Sequence, residues 1–306
     1  MSASCVAVQA GPYANLLEFL VARFPHVVNA VWTQRLLSGK VFDEAGEPIS
    51  LESALQAPFS GRGKIFYFRE VTSEIPIQAS ESVVYQDERL LVIDKPAGLP
   101  VVPSGPYLRE TVLVRQKQRL GIDTLVPIHR IDRDTRGLVM FCLQAAHRPA
   151  YSALFVNRQV SKVYEALAPH REDLIFPMIR RTRIGPGRHF MLQEELEGQP
   201  NAQTEIELIE QRDKLARYRL QPLTGRRHQL RVHMTALGIP ILNDGLYPTL
   251  TPAGTQRHPL QLLAKSLSFR DPVTNQLLQF KSRQQLMSLE EAIAQQSAGP
   301  TDTVLG

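Results

Sequence analysis

Apolar and polar positions along the middle of the chain follow patterns that are typical of β-strands. The apolar segments Val83–Tyr85 and Leu90–Ile93 flank a short polar turn and together predict a β-hairpin. The continuous apolar run Leu138–Leu143 predicts a buried strand, and the run Lys162–Leu167 predicts another strand. Further strands are predicted around Met178, Gln203–Ile209, Arg217–Gln221 and Leu260–Phe269. Because strands outnumber helices and no regular βαβ alternation is found, the pattern indicates an α+β fold with a mixed, largely antiparallel sheet.

Helical spacing of apolar residues is limited to a few short segments. The stripe Leu16–Phe24 predicts a helix that ends at Pro25, and a second helix is predicted over Val31–Leu37. Three helices are predicted in the remainder of the chain: Arg109–Leu120, His147–Val156 and Arg226–Leu237. Gly238 and Pro240 follow the last of these helices and form a clear stop signal.

These patterns divide the chain into four parts. Residues 1–12 lack periodicity and are predicted to be a flexible leader. Residues 13–75 form a small unit of helices and a closing strand, and a polar, proline-containing linker follows it. Residues 80–295 form the larger domain, and residues 296–306 are a polar tail that we expect to be disordered.

Composition narrows the class of protein without naming a function. The chain has 306 residues, 43% hydrophobic and 21% charged, which is ordinary for a soluble globular protein. Its net charge of +5 and sequence pI of about 9.3 favour a polyanionic partner without proving one. No apolar run approaches the roughly 18 residues of a membrane span, and no secretory signal is found. Two cysteines are too few for a disulfide framework or a cysteine-based zinc site. We expect a cytoplasmic protein, and we expect a monomer.

The most informative segment is the charged loop His129–Gly137, which directly precedes the apolar run at Leu138. Within it Asp132 lies among arginines, at a turn that a buried strand anchors. Such a carboxylate stays ionised and aimed, as a nucleophile requires. The alternative interpretation is a charged surface turn.

The predicted helix Arg226–Leu237 carries a second candidate group. Arg227 and Arg231 are four residues apart and are expected to share one face, where a guanidinium in a cleft could pair with a carboxylate. Thr224–Gly225 at the start of the helix could attract an anion. The alternative is a solvated basic face. The buried stripe of this helix is expected to contain Leu230, Met234 and Leu237.

Two further patterns bear on the binding of a nucleic acid or a metal. Tyr164 beside Lys162 could stack on a base and hold a phosphate, or it could be a half-buried tyrosine of the sheet. His228 and His233 are five residues apart and lack the HExxH pattern, so a zinc pair is not expected.

Four segments in the same order resemble the RluA family of pseudouridine synthases. They are Asp94–Leu99; His129–Asp132 with Thr135 and Gly137; Lys162 and Tyr164; and Thr224–His233 followed by Leu237–Asp244 and Tyr247. Any one of these matches could arise by chance, but four collinear ones hardly could. Arg136 stands where the family has a small serine and Asn243 where it has a glycine, which indicates a divergent subgroup.

The resemblance, which covers about residues 80–280, implies a mixed sheet with a central cleft that accepts a flipped uridine and needs no cofactor or metal. Carried over by position, Asp132 would be the nucleophile, Tyr164 would contact the target base, and Arg231 would pair with Asp132. Arg130 would steady the displaced RNA, and Leu230 would pack beside the ring. Further substrate-binding positions implied by the matching segments are His129, Thr135, Lys162, Arg226 and His228.

The small unit at residues 13–75 resembles an α-L RNA-binding domain, although Trp32 stands where a polar residue is expected. The alternative is a structural extension. The resemblance implies a structured RNA as partner, with ribosomal RNA as the first expectation and transfer RNA as the second. The sequence is also compatible with two other classes of protein. One is a non-catalytic RNA-binding protein, and the other is a metal-dependent phosphoester hydrolase that uses Asp132 and Asp134.

Overall fold

A computed structural model of the chain describes residues 4–25, 27–56, 60–68, 74–252, 255 and 258–297. The chain divides into two compact units, Met1–Ser73 and Glu74–Gly306. No helix within the described ranges is both long and apolar enough to cross a membrane.

Within its described residues, the small unit contains a three-stranded antiparallel sheet and three helices. In chain order its elements are β1 (Ser4–Ala7), α1 (Leu16–Arg23), α2 (Asn29–Leu37), β2 (Val41–Phe42), α3 (Leu51–Gln56) and β3 (Lys64–Tyr67). The strand order is β1-β3-β2. The prediction of a flexible leader is therefore wrong for residues 4–7, because β1 pairs along β3 and buries Val6. Residues 1–3 lie outside the described part of the chain.

Trp32 lies at the centre of the small unit's core and is fully buried. Its ring centroid is 5.3 Å from that of Phe24 and 5.0 Å from that of Tyr67. The Arg35 guanidinium lies 4.8 Å from the Trp32 ring centroid, within cation–π range. Trp32 is thus a core residue, which explains why this position is not polar. Helix α3 was not predicted, because its six residues bury only Ala54.

The larger unit contains eleven strands and four helices within its described residues. In chain order they are β4 (Ser82–Gln86), β5 (Leu90–Lys95), α4 (Val112–Leu120), β6 (Val126–Pro127), β7 (Arg136–Cys142), α5 (Arg148–Val156), β8 (Ser161–Pro169), β9 (Met178–Pro186), β10 (Gln193–Leu196), β11 (Ala202–Arg212), β12 (Leu215–Pro222), α6 (Gln229–Ala236), β13 (Leu262–Arg270), β14 (Leu277–Lys281) and α7 (Leu289–Ser297).

The strands form one sheet in the order β10-β9-β11-β12-β8-β13-β7-β5-β4, with β14 paired to β13 and β6 paired to β7. The described pairings are antiparallel except that of β13 with β7. The predicted α+β class with a mixed, largely antiparallel sheet is confirmed. Residues 296–297 of the predicted disordered tail belong to α7, and residues 298–306 lie outside the described part.

The contact between β7 and β13 fixes the end of the charged loop. Gly137 has φ +110°, and a Cβ built there would lie 2.3 Å from the Ala264 carbonyl oxygen. Only glycine allows the two backbones to approach this closely. The rest of β7, through Cys142, is buried, so the loop ends on a rigid strand.

Helix α6 begins at Gln229 rather than at Arg226, because His228 adopts a left-handed conformation with φ 56°. Arg226 and Arg227 therefore lie in the preceding turn, and the prediction that Arg227 and Arg231 share a helix face is wrong. The Arg227 guanidinium instead donates hydrogen bonds to the main-chain carbonyls at positions 190 and 191.

We predict that Gly137→Ala destabilises the protein by about 3 kcal/mol, because both a positive φ and a backbone clash oppose the methyl group. Gly121→Ala is the matched control, since Gly121 has φ +66° but nothing within 4 Å of its Cβ position. It should cost only about 1 kcal/mol. Chemical denaturation followed by circular dichroism measures both changes, and equal losses would contradict the predicted clash.

Candidate active site

A cavity of about 660 Å³ lies in the larger unit, within the usual size range of small-molecule sites. It is lined by residues from the charged loop, from the end of α5, from β8 and from the turn that leads into α6. All ten sequence-predicted site residues lie on its wall: Asp132, Tyr164, Arg231, His129, Arg130, Thr135, Lys162, Leu230, Arg226 and His228. Segments that are far apart in sequence thus meet at one site.

Main-chain contacts next to Asp132 hold its loop in place. The Arg133 carbonyl accepts hydrogen bonds from the buried Lys95 ammonium at 2.8 Å and from the Gly98 amide at 2.9 Å. Burial lowers the pKa of Lys95 to about 7, although Asp134 and Asp132 oppose this shift. The first family-like segment therefore braces the peptide that carries the candidate nucleophile.

Asp132 contacts Arg231, as the resemblance implies. Arg231 Nη1 lies 3.2 Å from Asp132 Oδ2. The same guanidinium makes two hydrogen bonds to Asp244, of 2.8 Å from Nε and 2.6 Å from Nη2. Burial favours a lower pKa for Arg231, but the hydrogen bonds and charges of the two carboxylates outweigh it and raise that pKa. Arg231 therefore remains a fixed cation.

Asp244 ends the family-like segment Leu237–Asp244 but is not among the predicted site residues. Its side chain is 0% exposed, whereas that of Asp132 is 29% exposed and faces the cavity. Asn243 before it has φ 62°, a conformation that glycine and asparagine tolerate, which accounts for the asparagine in place of the family's glycine. A buried carboxylate that accepts two hydrogen bonds from an arginine fixes the plane of the guanidinium.

Tyr164 lies on β8, between β12 and β13, opposite Leu220 and Ala264. Burial raises the pKa of its phenol, and the charge of Asp132 raises it further. The hydroxyl therefore stays protonated, so a phenolate base is not available at neutral pH. Leu230, in the first turn of α6, belongs to the core cluster against which Tyr164 packs.

His228 links the site to a buried tyrosine. Its Nε2 lies 3.9 Å from Asp132 Oδ1, and its Nδ1 lies 2.9 Å from the Tyr247 hydroxyl oxygen. That oxygen also accepts a hydrogen bond of 2.8 Å from the Gln193 amide. Burial lowers the pKa of His228, which favours the neutral imidazole.

Several cationic side chains line the cavity. Arg130, Arg158 and Arg226 are exposed, and the half-buried Lys162 ammonium donates a hydrogen bond of 3.2 Å to the Thr224 carbonyl. Burial lowers the pKa of Lys162 to about 8. Arg158 was not predicted, because a lone arginine after a helix matches no motif. These groups are suited to the phosphates of a nucleic acid.

The other wall is apolar. Phe155 stacks on His129 with ring centroids 4.7 Å apart, and His129 Nε2 accepts a hydrogen bond from the Met140 amide. Burial lowers the pKa of His129 to about 3, so this ring stays neutral. The sequence-based prediction missed several lining residues that lie outside the motifs, including Phe155, Val156, Leu223 and Leu262. It also left out Gln229, which lies inside the segment Thr224–His233.

The phosphoester hydrolase alternative is not favoured. It requires Asp132 and Asp134 to act together, but Asp134 Oδ1 pairs with Arg133 at 2.9 Å and does not line the cavity. Across the described ranges, no three His, Cys, Asp or Glu side chains are grouped in a way that could hold a metal ion.

Comparison with known proteins identifies the family of the chain. The profile of the RNA pseudouridylate synthase family matches residues 89–236. A dual-specificity RNA pseudouridine synthase RluA of Pasteurella multocida is 34% identical over 207 residues, covering 65% of this chain and 91% of that protein. An uncharacterised RNA pseudouridine synthase of Synechocystis sp. is 30% identical over 238 residues, covering 76% of this chain and 79% of that protein.

Solved structures show the same fold. Human RNA pseudouridylate synthase domain containing 1 aligns with a TM-score of 0.54 and 22% identity, over 72% of this chain and 96% of that one. Human RNA pseudouridylate synthase domain containing 4 aligns with a TM-score of 0.52 and 24% identity, over 67% of this chain and 88% of that one. The sequence relatives and the family profile extend this likeness from fold to activity. The chain therefore belongs to the RluA-like RNA pseudouridine synthases, and it is an RNA-modifying isomerase.

Proposed function

We propose that this protein converts specific uridines of a structured RNA to pseudouridine, with Asp132 as the nucleophile and no cofactor. The observation that carries the proposal is the contact of Asp132 with Arg231, 3.2 Å long, on the wall of a cavity of about 660 Å³. The neighbouring guanidinium attracts the carboxylate and fixes its direction.

The reaction breaks the bond between ribose C1′ and N1 of uracil, turns the base, and joins C1′ to C5. The C5 proton leaves and N1 gains a proton, so no oxidant or reductant is needed. The uridine must first leave its stack, at a cost of a few kcal/mol that is lower in an irregular RNA. Asp132 attacks either the base or the sugar, and in both routes it is the nucleophile.

We assign the other site residues by their chemistry. Tyr164 contacts the target base as a neutral phenol, since burial keeps its pKa above the ordinary value. Leu230 packs beside the ring, and His129 and Thr135 complete the wall around it. The exposed Arg130 steadies the strand from which the uridine has left.

We propose ribosomal RNA as the first target class and transfer RNA as the second. We also propose that the enzyme is cytoplasmic and monomeric. Residues 1–73 contain six basic and six acidic residues, so the net charge of +5 comes from the larger unit. RNA binding by the small unit stays a prediction without electrostatic support. Transfer RNA is retained because a Saccharomyces cerevisiae relative, 31% identical over 54% of this chain and 36% of its own length, is named a mitochondrial tRNA pseudouridine(32) synthase.

We predict that Asp132→Asn abolishes turnover while RNA affinity stays within about threefold, because the amide removes the nucleophile and little binding surface. Release of tritium from carbon five of labelled uridine in bulk cellular RNA measures turnover, and filter binding measures affinity. Asp134→Asn, on the same loop but outside the cavity, is the matched control and should remain active. Turnover by Asp132→Asn would disprove the assignment.

A second prediction concerns Lys162, whose ammonium is charged below its pKa of about 8 and neutral above it. If this charge holds an RNA phosphate, KM for RNA should rise between about pH 7 and pH 9 as the proton is lost. Lys162→Arg stays charged throughout and should show a flat profile. A rise in KM of the same size in both proteins would remove Lys162 from the phosphate contact.

The target class is tested by mapping pseudouridines in cells with and without the gene. We expect a missing modification in ribosomal RNA, which returns with the wild-type gene and not with Asp132→Asn. Loss confined to transfer RNA would select the second class. Unchanged maps of both RNAs would contradict both.

A further inference from the structure

We propose that His228 is a positioning residue whose Nε2–H orients the second carboxylate oxygen of Asp132, and that the Tyr247 hydroxyl selects the tautomer that makes this possible. This inference rests on the proposed role of Asp132 as nucleophile. It adds a relay of polar contacts that runs from Gln193 through Tyr247 and His228 to Asp132. The relay ends at the oxygen of Asp132 that Arg231 does not contact.

The proposed tautomer is the one that uses every hydrogen around the Tyr247 hydroxyl. A main-chain amide can only donate, so the Gln193 amide, 2.8 Å away, occupies a lone pair of the phenol oxygen. The phenol hydrogen is then available to His228 Nδ1 at 2.9 Å. Because Nδ1 accepts, the neutral imidazole carries its hydrogen on Nε2.

That hydrogen faces the nucleophile. His228 Nε2 is 3.9 Å from Asp132 Oδ1, while Arg231 Nη1 is 3.2 Å from Oδ2, so the two oxygens have different donors. A separation of 3.9 Å is longer than a hydrogen bond, and contacts of this kind commonly tighten when substrate binds. Oδ1 is therefore the less engaged oxygen and the one suited to attack, with His228 limiting its rotation.

The surroundings keep both rings in place. His228 has φ 56° at the start of α6, and the side chain of the next residue, Gln229, braces the turn by accepting hydrogen bonds from the Arg226 amide and the Thr224 hydroxyl. The Tyr247 ring lies 5.4 Å from the Arg231 guanidinium carbon. A conformation that is unusual for a residue with a side chain is thus maintained at the site.

The relay predicts how the rate depends on pH. Besides Tyr247, the charged groups that face His228 are Asp132 and Asp244, which favour the imidazolium, and Arg231 and Arg227, which oppose it. Burial is the largest influence, and the net pKa is lowered. An imidazolium would pair with Asp132 and weaken the nucleophile, so the rate should fall as the pH drops through the pKa of His228.

Tyr247→Phe tests the relay because it removes the hydroxyl and keeps the ring. Nδ1 then loses its donor and takes up a proton more readily, which raises the pKa of His228. In single-turnover tritium release, we expect the acid limb of the rate to move to higher pH and the plateau rate to fall about tenfold, with KM within about twofold. A profile that coincides with that of the wild type would overturn the inference.

Substitution of His228 provides an independent test, which decides the question even if Tyr247→Phe fails to fold. His228→Gln places an amide N–H near the Nε2 position without a titratable group, so its acid limb should move to lower pH while about a tenth of the rate remains. His228→Asn suits the left-handed backbone better but is too short, and it should lose about a hundredfold. Equal rates for both variants would show that the Nε2–H has no role.

The proposed function and this inference fail differently. Absence of pseudouridine formation by the wild-type enzyme would contradict the function. An active wild type, an inactive Asp132→Asn and an unmoved acid limb in the Tyr247→Phe and His228→Gln variants would contradict only the relay.

Discussion

The site depends on one guanidinium shared between two carboxylates. Arg231 is buried, and burial of an unpaired charge would be costly, so the fully buried Asp244 holds it with two hydrogen bonds. One cation between two anions leaves one negative charge, and the geometry assigns it to the partly exposed Asp132. Asp244 thus accounts for the burial of the arginine, while Asp132 keeps a carboxylate that faces the cavity.

The fold must then deliver Asp132 to an arginine 99 residues away. It does so by fixing the main chain that follows the aspartate. Lys95 and Gly98 hold the Arg133 carbonyl, and Gly137 allows β7 to lie against β13. Because these contacts involve main-chain atoms, the loop can carry exposed arginines without losing the direction of its carboxylate.

The sequence allowed the strands and many of the residues that line the cavity to be predicted. Buried strands leave apolar runs, and the candidate site residues lie in short motifs. It did not reveal where α6 begins, since the left-handed conformation of His228 is imposed by tertiary contacts. Phe155 and Arg158 reach the cavity only through the path of α5, which no local pattern encodes. Strand β1 was missed because an edge strand of four residues gains its order from β3.

Burial also sets the charge of the groups around Asp132. It lowers the pKa of His129 to about 3 and that of His228 below its ordinary value, and it raises the pKa of the Tyr164 phenol. At neutral pH these three rings are therefore uncharged, and the buried cation that contacts Asp132 is Arg231. A second fixed cation at this distance would hold the carboxylate in its ground state and reduce its reactivity. Neutral rings near Asp132 can orient its oxygen without neutralising the carboxylate, which is the electrostatic condition that the proposed attack on an uncharged uridine requires.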